Sequence, residues 1–245
     1  MADRPDRPPP VLAAGTWPTN AELIEECFRL GYLRADLPTL DLTYGRGIWW
    51  NRCRPAELVT NDIDAKRSDA DHNEDFRATT WGTGTWPQIA YDPPYAATGG
   101  KATSTVPTMI HRFGRDIAPM SAEGTQLLIN DGLEEVHRLL TPRRRGVKGA
   151  LGGIALVKCM AYYWSGHLWE GDVLTRNHAI EIGFEVLARF IHVGGAGPQD
   201  ANRKKKHDLC GGAGCLADGC EGGNVPSVQV NPYNNYSTLL VLRKR

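Results

Sequence analysis

The sequence predicts an α/β fold built on a mostly parallel sheet with helices on both faces, and three observations predict it. Short apolar runs alternate with segments of helical periodicity, the pattern of strands joined by helical crossovers. The run "GGIALVKC" at 152–159 is apolar almost throughout and bounded by glycines, as a strand buried on both faces must be. Two strand-like runs, "FEVLARFIHVG" and "YSTLLVLRKR", close the chain and predict an antiparallel C-terminal hairpin on one edge of the sheet.

Size agrees with this class. A chain of 245 residues, 41% of them hydrophobic, can bury one large core. The expected organisation is a flexible, proline- and charge-rich leader at 1–17 and one domain at 18–245. A Cys/His-rich insertion interrupts that domain at about 197–224. The N-terminus lacks the basic-then-apolar order of a signal peptide, and no stretch approaches the ~20 apolar residues of a membrane span. The expectation is a soluble, cytoplasmic protein with no membrane partner.

The elements follow in order. Thr19-Asn20 can cap a helix at 21–30, where Leu23, Ile24, Cys27 and Leu30 recur at helical spacing and Gly31 supplies a stop. "TLDLTYG" reads as a first strand that breaks at glycine. A second strand is expected at 58–61, a third short element near Phe76, and a fourth strand at 88–91. Leu127, Leu128, Leu133, Val136, Leu139 and Leu140 give the segment 125–140 one apolar helical face. After the central strand, a helix at 173–182 should end at Gly183. Lys158 closes that strand on the substrate side and has no assigned role. The aromatic stretch "AYYWSGHLW" reads as packing, or as the wall of a nucleotide groove.

Ligands of open parallel sheets gather beyond the carboxyl ends of the strands. The first strand ends in Asp41-Leu42-Thr43-Tyr44-Gly45-Arg46-Gly47, where two glycines permit a tight turn and let a ligand approach the backbone. The second ends at Asp62, about twenty residues on, where nucleotide-binding sheets keep an acid for ribose hydroxyls. Asp75, in "NEDFR", offers an acceptor for an adenine amino group. The fourth ends in Asp92-Pro93-Pro94-Tyr95, a carboxylate, two helix-forbidding prolines and an aromatic ring.

This order of features resembles the class I S-adenosylmethionine-dependent methyltransferases. Asp92-Pro93-Pro94-Tyr95 is similar to the D-P-P-Y signature of those members that methylate exocyclic amines of DNA, at N6 of adenine or N4 of cytosine. The resemblance runs from about residue 40 to the C-terminus. It implies a Rossmann-like sheet, S-adenosylmethionine as cofactor, and a cofactor site drawn from Asp41, Thr43, Gly45, Gly47, Asp62, Ile63, Asp75 and Phe76. It also implies that Asp92, Pro93, Pro94 and Tyr95 are catalytic. An exocyclic amine is a poor nucleophile because its lone pair is delocalised into the ring. Acceptors on its hydrogens, the Asp92 carboxylate and the Pro93 carbonyl, favour a pyramidal nitrogen, and Tyr95 offers a face for a base drawn out of its stack. The Asp form of the tetrapeptide accompanies adenine more often than cytosine. Two features depart from the pattern: Thr43 stands where a hydrophobic residue is usual, and the helix after the glycine turn, "IWWNRCR", is cut short by Pro55.

The insertion carries its own motif. His207, Cys210, Cys215 and Cys220 are spaced H-x2-C-x4-C-x4-C, the intervals of a zinc knuckle with the histidine moved to the first place. Four such ligands can close a tetrahedral structural zinc site. Arg203, Lys204, Lys205 and Lys206 run directly into it, a basic arm suited to phosphates. With 28 basic and 28 acidic residues the chain has no global field, and basic clusters by themselves read as solvated loops; they count here because the Asp-Pro-Pro-Tyr resemblance points to nucleic acid, with DNA preferred over RNA as partner. The expected activity is methylation of adenine N6 in DNA. The alternatives are an RNA base methyltransferase, and a catalytically inactive zinc protein that binds nucleic acid.

Overall fold

The computed structural model describes residues 17, 19–66, 68–95, 121–143, 151–164, 167–193 and 236–245. Residues 1–16 of the expected leader, the basic arm Arg203–Lys206, and the four proposed zinc ligands His207, Cys210, Cys215 and Cys220 lie outside the described residues.

Helix α1 (Asn20–Arg29) starts where the sequence places it. The Thr19 side chain accepts from the Glu22 amide while the Glu22 carboxylate accepts from the Thr19 amide, a reciprocal capping box. Strand β1 (Thr39–Asp41) leads into a 3₁₀ turn at Ile48–Trp50, then come β2 (Leu58–Thr60) and β3 (Gln88–Tyr91). Helix α2 (Ala122–Leu139), β4 (Ile154–Cys159), a small hairpin of β5 (Tyr162–Trp164) and β6 (His167–Trp169), and α3 (Gly171–Glu181) follow. Strands β7 (Phe184–Val193) and β8 (Tyr236–Lys244) form the antiparallel C-terminal hairpin.

The main sheet has the order β2-β1-β3-β4-β8-β7. Strands β2, β1, β3 and β4 pair in parallel, and β8 runs antiparallel to both its neighbours. Alternation along each strand splits the core into two layers. Ile89, Tyr91, Ala155, Val157, Leu240 and Leu242 pack against Leu128, Leu133, Val136 and Leu139 of α2. Ala90, Leu156, Leu239 and Val241 face the other way, onto Leu23, Ile24 and Cys27 of α1 with Trp49 and Trp50. Helices therefore cover both faces, as expected.

Gly132 allows α2 to approach the sheet closely. A Cβ there would overlap the Tyr91 hydroxyl and come within 2.7 Å of the Phe76 ring. The far end of α2 is fastened by the buried Lys244, whose Nζ donates to the carbonyls of His137 at 2.5 Å and Leu140 at 3.0 Å, groups the helix itself leaves unpaired.

The structure corrects one expected element. No strand forms near Phe76 among the described residues; β2 is followed only by an isolated bridge between Asn61 and His72. The backbone of this stretch is satisfied by helix side chains instead. Glu135 accepts from the Thr79 amide at 2.9 Å, and Arg138 donates to the Trp81 carbonyl at 2.9 Å. Phe76 is a core residue delivered by a loop, its ring edge-on to Tyr91. Among the described residues no helix is long and apolar enough to cross a membrane.

Candidate active site

The chain leaves β1 for β2 on one side and returns to β3 on the other. The strand order thus reverses beside β1, and a crevice opens at the carboxyl ends of β1 and β3. A cavity of about 140 Å³ lies there, lined by Asp41, Thr43, Tyr44, Gly45, Arg46, Ile48, Trp49 and Asp92. Three of the expected cofactor residues, Asp41, Thr43 and Gly45, thereby share a cavity with the first residue of the Asp-Pro-Pro-Tyr turn.

The glycine turn is held by the residues that follow β2. The Tyr44 amide donates to the Asn61 carbonyl at 2.9 Å, and the Gly45 amide to the Asp62 carboxylate at 2.7 Å. Gly45 and Gly47 have φ of 57° and 64°, in the left-handed region that favours glycine. At Gly47 any Cβ would also strike the Tyr44 ring. Asp62, whose other oxygen accepts from the Asp64 amide at 2.9 Å, sits at the end of β2 with the partly exposed Ile63 beyond it.

Two tryptophans from the 3₁₀ turn address two acids, the buried Asp41 and the half-buried Asp92. Trp50 Nε1 donates to Asp41 Oδ2 at 2.6 Å, and Trp49 Nε1 donates to Asp92 Oδ2 at 3.0 Å. The Thr43 amide donates to Asp41 Oδ1 at 3.1 Å, and the Thr43 hydroxyl accepts from the Asp92 amide at 2.7 Å. Thr43, which departs from the pattern that the sequence resembles, therefore ties the glycine turn to the Asp-Pro-Pro-Tyr turn.

Burial sets the electrostatics of the crevice. Asp41 is pushed up to about 7, chiefly by desolvation; the Trp50 and Thr43 bonds oppose this, while the charges of Asp92 and Asp62 add to it. Burial also raises Asp92, against the charge of Lys158 and the Trp49 bond. Asp92 Oδ1 is buried and has no hydrogen-bond partner among the described residues. A buried carboxylate oxygen with no donor costs free energy unless a ligand supplies one, so a ligand that brings N–H groups or positive charge fits this crevice.

Two expected cofactor residues are not brought to it. Asp75 lines a separate hollow of about 590 Å³ beside α2 with Arg77, Ala78, Asp131, Glu134, Glu135 and Arg138. Its carboxylate is gripped by Arg77 at 2.6 Å, which holds it below the usual carboxylate range. Phe76 commits its ring to the core, which leaves only its backbone to a ligand. Pro93 and Pro94 are buried behind Asp92, and Tyr95, half-buried, ends the described stretch. Trp49 and Trp50 are the site residues that the sequence reading missed, since hydrophobic periodicity has nothing to say about a three-residue turn.

Among the described residues no group of three or more His, Cys, Asp and Glu could hold a metal ion. No protein-family model matches the chain, and the curated proteins hold no match to it. Solved structures do resemble it. The MccD protein is 13% identical with a TM-score of 0.51, over 91% of this chain and 96% of that one. The [4+2]-cyclase SpnF is 13% identical with a TM-score of 0.50, over 96% and 89% of the two chains. A provisionally assigned methyltransferase of Bacillus halodurans C-125 is 12% identical with a TM-score of 0.50, over 90% and 98%. The chain thus has the Rossmann-like α/β fold of these proteins, and since one of them is named for a cyclisation, the reaction has to be argued from the site.

Proposed function

We propose that this chain is an S-adenosylmethionine-dependent methyltransferase that modifies an exocyclic amine of a nucleic-acid base, N6 of adenine in DNA. The observation that carries the proposal is the buried, donor-less Oδ1 of Asp92, a residue that lines a cavity together with the glycine turn. Trp49 fixes one Asp92 oxygen and Thr43 fixes its backbone, so the free oxygen is presented in one orientation. That oxygen and the Pro93 carbonyl would accept the two hydrogens of the target amine and turn its lone pair out of the ring plane. Bound S-adenosylmethionine would supply the methyl group, its S–CH₃ bond breaking as the N–C bond forms and S-adenosylhomocysteine leaving, while the Asp92 carboxylate would take the proton that the amine gives up. Asp62 and Ile63, at the end of β2, are the candidates for the cofactor's ribose and adenine.

The cofactor carries a sulfonium and an ammonium, and both suit a crevice with two acids. Burial pushes Asp41 up to about 7. Its ionised form attracts a cation, so affinity for S-adenosylmethionine is expected to be flat above about pH 8 and to fall by about tenfold per pH unit below 7. Calorimetric titration across pH 5 to 9 checks this. Asp41→Asn should lose most of the slope, and an equally steep slope in that variant would assign the titration elsewhere.

The zinc site at His207, Cys210, Cys215 and Cys220, with its basic arm, belongs to the proposal as the element that would grip nucleic acid, and it rests on spacing alone. One zinc per chain in the purified protein, lost in Cys215→Ser, is the expected metal content. The substrate is tested by nucleoside mass spectrometry of DNA and RNA incubated with the protein and methyl-labelled cofactor. Labelled N6-methyladenine in DNA is the expected result. Label in RNA alone would replace the substrate, and label in neither would favour an inactive nucleic-acid-binding protein.

A further inference from the structure

Lys158 is buried at the end of β4, with a relative exposure of 1%. Its Nζ bonds to the Asn20 side-chain oxygen at the start of α1 and lies 3.1 Å from His192 Nδ1 on β7. His192 Nε2 is 2.9 Å from the Trp17 carbonyl, which can only accept. The ring proton therefore sits on Nε2, and Nδ1 is left to accept from the ammonium. Both partners of Lys158 are neutral acceptors: they fix where the charge sits without cancelling it.

The other charged or titratable groups around it come from every adjoining element. Asp172 in the first turn of α3 is already matched by Arg189 of β7 at 2.7 Å and by the Thr238 hydroxyl at 3.1 Å. Cys159, next along β4, is a buried thiol pushed up and kept neutral by desolvation. Asp41 beyond β1 is bonded to Trp50 and the Thr43 amide. Asp92 remains. Burial lowers Lys158 and raises Asp92, and each is opposed by the charge of the other. Geometry sets them side by side: Tyr91 of β3 pairs in register with Val157 of β4, so the next residues, Asp92 bonded to Trp49 and Lys158 bonded to Asn20, lie on neighbouring strands in the same layer, with no contact ion pair between them among the described residues.

We propose that Lys158 is a positioning residue for Asp92: held between Asn20 and His192, its ammonium keeps the Asp92 carboxylate ionised and ready to accept from the substrate amine, which makes the start of α1 part of the active centre. This rests on the methyltransferase reading for its consequence, but not for its test.

The test is Asn20→Asp, with Lys158→Met beside it. Asn20→Asp keeps the acceptor and suits a helix N-terminus, yet it adds a negative charge on the ammonium that competes with Asp92. The titration of Asp92, followed by carboxyl carbon NMR and assigned by its loss in Asp92→Asn, is expected to move up by about one pH unit in Asn20→Asp and further in Lys158→Met. The acid limb of kcat/KM should move with it while cofactor KM is unchanged. An Asp92 titration unmoved in folded Asn20→Asp overturns the proposal, whether or not Lys158→Met folds. A moved titration in a protein that transfers no methyl group upholds the coupling and removes the catalytic reading instead.

Discussion

Replacing Asp92 with alanine is expected to lower the rate of methyl transfer by about 10²- to 10³-fold, with affinity for S-adenosylmethionine changed by no more than a few-fold. A magnitude of this order follows when one preorganised polar group aimed at the reacting centre is removed from a site that excludes water. The cofactor affinity is spared because the Gly45 amide donates to Asp62 at 2.7 Å without involving position 92, and the Thr43 hydroxyl accepts from the backbone amide of residue 92, which alanine keeps. Asp92→Asn is the instructive companion, since it keeps the size of the side chain and one carbonyl acceptor. If the amide oxygen takes the Trp49 bond, the NH₂ group faces the substrate amine as a donor, and the rate should still fall. Steady-state kinetics under saturating cofactor separate kcat from KM. A loss confined to KM would mean that Asp92 only binds substrate, and would remove it from the chemistry.

The second large effect is on the fold. Gly132→Ala should destabilise the protein by about 1–3 kcal/mol, the usual range for an overpacked core. Alanine improves helix propensity by ~1 kcal/mol, which works in the opposite direction. The contact decides the sign. The added methyl overlaps the Tyr91 hydroxyl, which donates to the Ile129 carbonyl at 3.3 Å, and presses on Phe76. Tyr91 immediately precedes Asp92, so the strain enters the strand that aims the carboxylate. Thermal unfolding checks the prediction, with Tm lowered by roughly 2–4 °C per kcal/mol for a chain of this size. A raised Tm would mean that the two rings step aside freely.

Much of this architecture was legible because it depends on local chemistry. Thr19 and Glu22 state a helix start, and the expected fourth strand at 88–91 coincides with β3. Periodicity also found α2, through its one apolar face, and nearly unbroken apolar runs found β4 and the C-terminal hairpin. This reading failed at Phe76, where a buried aromatic looks like a strand residue although a loop carries it. It also failed at Tyr162–Trp169, read as packing or groove lining and found as a small hairpin. The acids at strand ends were readable as a set, but their partners were not. That Asp75 is occupied by its near neighbour Arg77, that Trp49 and Trp50 divide Asp92 and Asp41 between them, and that Lys158 reaches Asn20 across the fold are facts of tertiary distance. Thr43 shows the limit most clearly: judged against a pattern it was an anomaly, and its role appeared only with the 2.7 Å bond from the Asp92 amide.

The most direct measurement is a crystal structure of the protein with S-adenosylhomocysteine bound. The account predicts the ligand in the crevice between Gly45 and Asp92, with its ribose hydroxyls on Asp62 and its sulfur facing the Asp-Pro-Pro-Tyr turn. A ligand bound elsewhere, or a crevice left empty at saturating concentration, would contradict it.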